Sequence, residues 1–199
     1  ARLLMSGNPR DAAALATRVL AADPNDYSAH LIRLSHDRLH GDPGSTIIHR
    51  SVARTLLMNR FLEAARAAGD ITATTRPADT IQPFRIPDPI AIAVRVDATG
   101  DNELRRTFAV ACADLAFFHL YFENTPQPAA DLIEALRRFL PSDSPTLVRL
   151  EGWRFLVMGR DAEARVKLSA VADRDPLAAL GLAPVSYTHL RAHETWLTI

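Results

Sequence analysis

The chain has 199 residues, 48% of them hydrophobic and 23% charged, enough apolar material for one substantial core. Lys+Arg and Asp+Glu both number 23, a balance that argues against a basic nucleic-acid binder or a polyanionic tail, and the lone Cys112 rules out an internal disulfide framework. No stretch approaches the roughly 18–20 uninterrupted apolar residues of a membrane-crossing helix, and Lys167 is the only lysine, an arginine bias typical of GC-rich coding sequence.

In chain order, Pro9 to Ala22 reads as a helix with Ala12 and Ala16 on one face, closed by Asp23-Pro24-Asn25-Asp26. Tyr27 to His40 reads as a second helix, ended by Gly41-Asp42-Pro43-Gly44. Ser45 is the expected cap of a third, running through Ile47, Ile48, Val52, Leu56 and Leu57. Asn59-Arg60-Phe61-Leu62-Glu63-Ala64-Ala65 reads as a turn into yet another helix, which places three helical segments in residues 27–69. Residues 70–103 break the pattern. Thr72, Thr74, Thr75, Pro77, Pro83, Pro87 and Pro89 are helix-averse, and Ile90-Ala91-Ile92-Ala93-Val94-Arg95-Val96 has β-type composition, so an irregular insertion or degenerate repeat, with an extended segment, is expected there. Asn102 then opens a long apolar helix containing Leu104, Phe108, Cys112, Leu115 and Phe122. Pro126 and Pro128 introduce the next helix, where a missing N–H costs little, and Pro141 ends that unit.

The most regular stretch is 145–178. Val148, Gly152 and Phe155 stand at spaced apolar, small and aromatic positions of one helix, Ala164 and Leu168 at those of the next, and Pro176 closes the unit. Two helices approach closely only where side chains are small, so Gly152 and Ala164 are the expected contact and Phe155 and Leu168 the filling around it. Gly159 suits the turn, and Asp161 is the expected cap of the second helix. This pattern resembles a tetratricopeptide repeat, with Glu151 standing where that family prefers leucine. Residues 113–141 resemble a weaker copy, with Ala113, Ala116, Phe117, Leu120, Ala129 and Ile133 in matching places and Phe117 where a small residue belongs. Pro141 and Pro176 lie 35 residues apart, near the roughly 34-residue period of this class. Ala12, Ala16 and Pro24 fit the second helix of a truncated copy.

The resemblance implies an all-α array of antiparallel helical hairpins stacked as a solenoid, with repeats at 1–69, the irregular segment at 70–103 and two hairpins at 104–183. It also implies a protein or peptide partner, no cofactor and no catalysis, with Arg149, Trp153 and Arg154 as candidates to line a binding groove. Two other readings stay open: a helical-repeat arm of a larger enzyme, and a metal-dependent hydrolase. The second would rest on His36-Asp37-Arg38-Leu39-His40, whose histidines share one helix face as zinc ligands do. Asp37 is a methylene shorter than the usual glutamate base, however, and no third ligand is indicated, so surface histidines at a helix end are the favoured interpretation.

Other motifs carry less. Gly41-Asp42-Pro43-Gly44-Ser45-Thr46 lacks the lysine of a phosphate loop and reads as an interhelix turn. Cys112 lies on an apolar face, and His119, two turns on, is too far away to activate it. Phe117, Phe118, Tyr121 and Phe122 read as core, and Arg137, Arg138, Arg149, Arg154 and Arg160 as a solvated face or, alternatively, a cationic groove for an acidic peptide. The tail at 184–199 is set aside. Val185 to Thr195 resemble the translation of a transposase mosaic end followed by a sequencing adapter, so the His189/His193 pair is not taken as a metal site.

Overall fold

A computed structural model describes residues 9–40, 42–69 and 87–182, and every regular element among them is helical. Of the irregular stretch expected at 70–103, residues 70–86 lie outside the described residues, as does the adapter-like tail, while most of 87–103 is helical. The chain divides into two compact units between Ile86 and Pro87.

The first unit contains α1 (Pro9–Ala22), α2 (Tyr27–His40) and α3 (Pro43–Ala67), with α1 packed on α2 and α2 on α3. Asp26 accepts the Ala29 N–H at 2.8 Å near the start of α2. The cap of α3 is Asp42 rather than Ser45: its carboxylate accepts the Ser45 N–H at 3.0 Å, and Pro43 takes the first helical position. The expected turn at Asn59 is absent, and α3 runs unbroken for 25 residues. One asparagine among leucine, methionine, arginine, glutamate and alanine is too weak a breaker, and Ala53, Leu57, Phe61 and Ala65 recur every four residues as a continuous buried face. The helix stops only before Gly69, which takes φ +84°.

The second unit contains α4 (Pro89–Ala98), α5 (Asn102–Phe118), a π-helical turn (His119–Glu123), α6 (Pro126–Leu136), α7 (Pro145–Val157), α8 (Asp161–Ser169) and a closing helix α9 at 176–182. Helix α4 corrects the extended segment expected at 90–96. Its β-branched residues alternate with alanine and mimic a strand, but the residues it buries are Pro89, Ile92, Ala93 and Val96, the spacing of a helix face. Asp88 caps it by accepting the Ile90 and Ala91 N–H groups at 2.9 and 3.1 Å. Asp88→Ala is expected to destabilise this unit by about 1 kcal/mol, measured by urea denaturation, because two N–H groups lose their acceptor.

Helix α5 stops short of Phe122. The chain widens into the π-turn, Asn124 adopts the left-handed conformation at φ 58°, and α6 begins at Pro126. Phe108, Cys112, Leu115 and Ala116 from α5 share the core with Leu132 and Leu136 from α6 and with Leu147 and Leu150 from α7. Helix α5 packs on α6 and α7 on α8, while α4 also touches α6 and α5 also touches α7. Contact with both the next helix and the next but one fits a helical repeat.

Of the positions singled out at 145–178, Gly152 and Leu168 come into direct contact. Gly152, Ala164 and Leu168 are buried, Val148 and Phe155 are half-buried, and Pro176 is exposed and opens α9. A Cβ on Gly152 would stand 2.7 Å from Leu168 Cγ, and one on Gly181 would stand 2.8 Å from Leu168 Cδ1. Leu168 is thus wedged between glycines of α7 and α9. Glu151, the departure from the family pattern, is accommodated by Arg137 and Lys167, each 2.6 Å from one of its carboxylate oxygens. Gly159 takes φ +71° in the turn, as its placement requires. Asp161 lies inside the first turn of α8 and Arg160 occupies the cap position, so the expected Asp161 cap is displaced by one residue. Phe117 turns its bulk toward α7, edge-on to the Trp153 ring at 5.7 Å, while Ala116 and Ala129 stay buried.

Candidate functional site

The three residues expected to line a groove have different surroundings. Trp153 is a core side chain, 4% exposed, whose indole N–H donates to the Leu177 carbonyl at 3.0 Å and whose ring meets Phe117 and Tyr121 edge-on. Arg149 is mostly buried, 3.4 Å from the Asp175 carboxylate and over the face of Phe117. Burial pulls its pKa down, and the charges of Asp175 and Asp114 oppose that pull. Arg154 keeps its Nε buried with no hydrogen-bond partner among the described residues. The wider arginine set is also drawn into pairs: Arg137 with Glu134 and Glu151, and Arg160 with Glu163 and the Phe155 ring. The arginines singled out in the sequence therefore do not form one open cationic wall.

An open groove of about 530 Å³ lies elsewhere, where the end of α4 meets the start of α5 and the residues after α6. Asp97 from the end of α4, Asn102, Arg105, Arg106 and Ala109 from α5, and Arg138, Phe139 and Leu140 after α6 line it. Arg105 is anchored to Asp97 through its carbonyl at 2.8 Å and its carboxylate at 3.0 Å. Arg106 pairs with Glu103 at 2.7 Å, both about three-quarters exposed, a contact that water screens heavily. Arg138 is exposed, and its guanidinium has neither a hydrogen bond nor an ion pair among the described residues. Phe139 packs edge-on against Phe108 at 5.7 Å, which fixes an apolar floor beside that cation.

The chain matches no protein-family model, no curated protein and no solved structure. Arg138 is one of the arginines that the sequence singles out, whereas Arg105 and Arg106 belong to no pattern in it. Their grouping depends on α4, whose C-terminal end brings Asp97 to the start of α5, and an extended reading of 90–96 hides that edge.

The other motifs are satisfied locally. His36 and His40 stack with ring centroids 4.0 Å apart, His36 Nδ1 lies 3.1 Å from Asp37, and His40 Nδ1 lies 2.8 Å from the His36 carbonyl. Among the described residues no group of three or more histidine, cysteine, aspartate or glutamate side chains is arranged to hold a metal ion. Cys112 is fully buried, and burial pushes its thiol well above the ordinary range. His119 faces Thr125 and Glu123, at 2.9 and 3.0 Å. No described helix is long and apolar enough to cross a membrane.

Proposed function

We propose that this chain is a non-catalytic protein-binding scaffold of tetratricopeptide-like type, with residues 87–182 stacked as a solenoid. The groove between α4, α5 and the end of α6 takes a carboxylate-bearing segment of a partner protein. The observation that carries this reading is Arg138, an exposed guanidinium without a partner among the described residues, which lines the groove together with Phe139, Leu140, Arg105 and Arg106. A guanidinium presents a planar fork of donors that matches a carboxylate, and a neighbouring apolar floor selects segments that pair an acid with a hydrophobic residue. Helix-to-helix contacts at Gly152, Leu168 and Gly181 support the stacking half of the proposal, since each turn of such an array buries its apolar face only against neighbours.

Selection from a random-peptide library tests it. The chain is expected to enrich peptides that combine Asp or Glu with Leu or Phe, and Arg138→Glu is expected to weaken their binding by at least about tenfold, the loss of one charge-assisted contact. Failure to enrich any peptide class, or enrichment that survives Arg138→Glu unchanged, contradicts the proposal.

A further inference from the structure

A polar cluster lies in the first unit, where α2 meets α3. His30 Nε2 is 2.9 Å from the Pro24 carbonyl, and His30 Nδ1 is 2.8 Å from His49 Nδ1. A carbonyl only accepts, so the His30 proton sits on Nε2 and its Nδ1 carries the lone pair. His49 must then donate from Nδ1, which leaves its own Nε2 bare, 3.9 Å from Asp37 Oδ2. The contact thus assigns both tautomers.

Asp37 does not stand ready to receive a new cation. It is buried, accepts the Ser45 hydroxyl, and lies 3.2 Å from Arg33 and 3.1 Å from His36. Burial pushes its carboxyl up, but those hydrogen bonds together with the charges of Arg33 and His49 outweigh it, so it stays ionised below its ordinary value of 3.8. At the start of α3, Asp42 is engaged by the Ser45 N–H. In the turn from α1, Asp23 and Asp26 are engaged by the N–H groups of Asn25 and Ala29. One added proton on His49 Nε2 keeps the Nδ1–Nδ1 hydrogen bond. A second, on His30 Nδ1, sets two N–H donors against each other at that distance, and nothing in the cluster accepts either.

We propose that the His30–His49 contact is an acid-released latch between α2 and the first half of α3, closed while the pair carries at most one added proton and parted when both rings are charged. The electrostatics act in the same direction. Burial first, and then the charge of His30, hold His49 below its ordinary value of 6.5, against the pull of Asp37. A group with a depressed folded pKa binds its proton more readily in the unfolded chain. The stabilisation is therefore full above about pH 6.5, is lost as pH falls below it, and levels off once the folded group titrates too.

The test is imidazole nitrogen NMR and amide hydrogen exchange on the full chain from pH 7.5 to 5. At pH 7.5 His30 should be the Nε2–H tautomer and His49 the Nδ1–H tautomer. Towards pH 5 the protection of α2 and early α3, corrected for intrinsic exchange, should fall by up to about tenfold per pH unit for each proton refused by the closed state. His49→Gln, which keeps a neutral donor, should remove that fall. Opposite tautomers, protection that does not change with pH, or a fall that persists in a folded His49→Gln variant overturns the proposal. Should that variant not fold, the wild-type tautomers and protection decide alone.

Discussion

Trp153→Ala is expected to cost about 3–5 kcal/mol, the range for deleting a large buried aromatic side chain. The ring is fully enclosed but for 4% of its surface and serves as the meeting point of three elements. Phe117 of α5 and Tyr121 of the π-turn approach it edge-on at 5.7 and 5.2 Å, and Gly181 of α9 lies so close that a Cβ there would come within about 3.0 Å of the indole. The indole N–H adds a hydrogen bond to the Leu177 carbonyl. Trp153→Phe separates the two contributions, since it keeps most of the apolar volume and loses the hydrogen bond, and should cost less than the alanine change by about 2 kcal/mol or more. Urea denaturation followed by helical circular dichroism at 222 nm measures both. A cost for Trp153→Ala below about 1 kcal/mol would place the ring at a surface and contradict its position in the core.

The second large effect is at Leu168, with a reversal of sign attached to it. Leu168→Ala should cost about 2–5 kcal/mol, because the side chain is fully buried and fills the gap between two helices that glycine allows to approach it. Gly152→Ala alone should cost about 1–3 kcal/mol, since the new methyl lands 2.7 Å from Leu168 Cγ and 3.3 Å from Lys167 Cβ with no free volume to receive it. In the Leu168→Ala background the same substitution meets a vacated site. Alanine's better helix propensity, about 1 kcal/mol over glycine, then makes it neutral or stabilising. A double-mutant cycle by urea denaturation reads this directly, and equal costs for Gly152→Ala in both backgrounds would show that the two residues do not share that space.

The residues of this contact were legible in the sequence because their signal is steric and local, but the pairing was not: the sequence sets Gly152 against Ala164, whereas a Cβ on Gly152 would meet Leu168 and Lys167. Small residues at Gly152 and Ala164 with Leu168 one turn further on can serve a close helix pair and little else. Three other features were hidden for separate physical reasons. Helix α4 was masked by β-branched residues alternating with alanine, although Asp88-Pro89 is a helix-start signal and Pro89, Ile92, Ala93 and Val96 have helical spacing. The length of α3 was masked by Asn59, a turn-type residue that a continuous buried face overrides. Trp153 looked like a groove residue because the repeat pattern fixes which helix it lies on, while its burial depends on Phe117, Tyr121 and the arrival of α9 from 24 residues further along the chain. The same limit applies to the groove. Arg105, Arg106 and Arg138 come from two helix ends that only the packed unit brings together. The His30–His49 pair spans 19 residues with no repeat or motif to announce it.

Whether the groove beside Arg138 receives an acidic segment, as proposed, is read by mapping backbone-amide NMR shifts on adding a peptide from the acidic class. Shifts concentrated at Arg105, Arg106, Ala109 and Arg138 to Leu140, weakening as salt rises, are expected. Shifts centred on Arg149 and Arg154 instead, or no shifts at peptide concentrations up to the millimolar range, would contradict it.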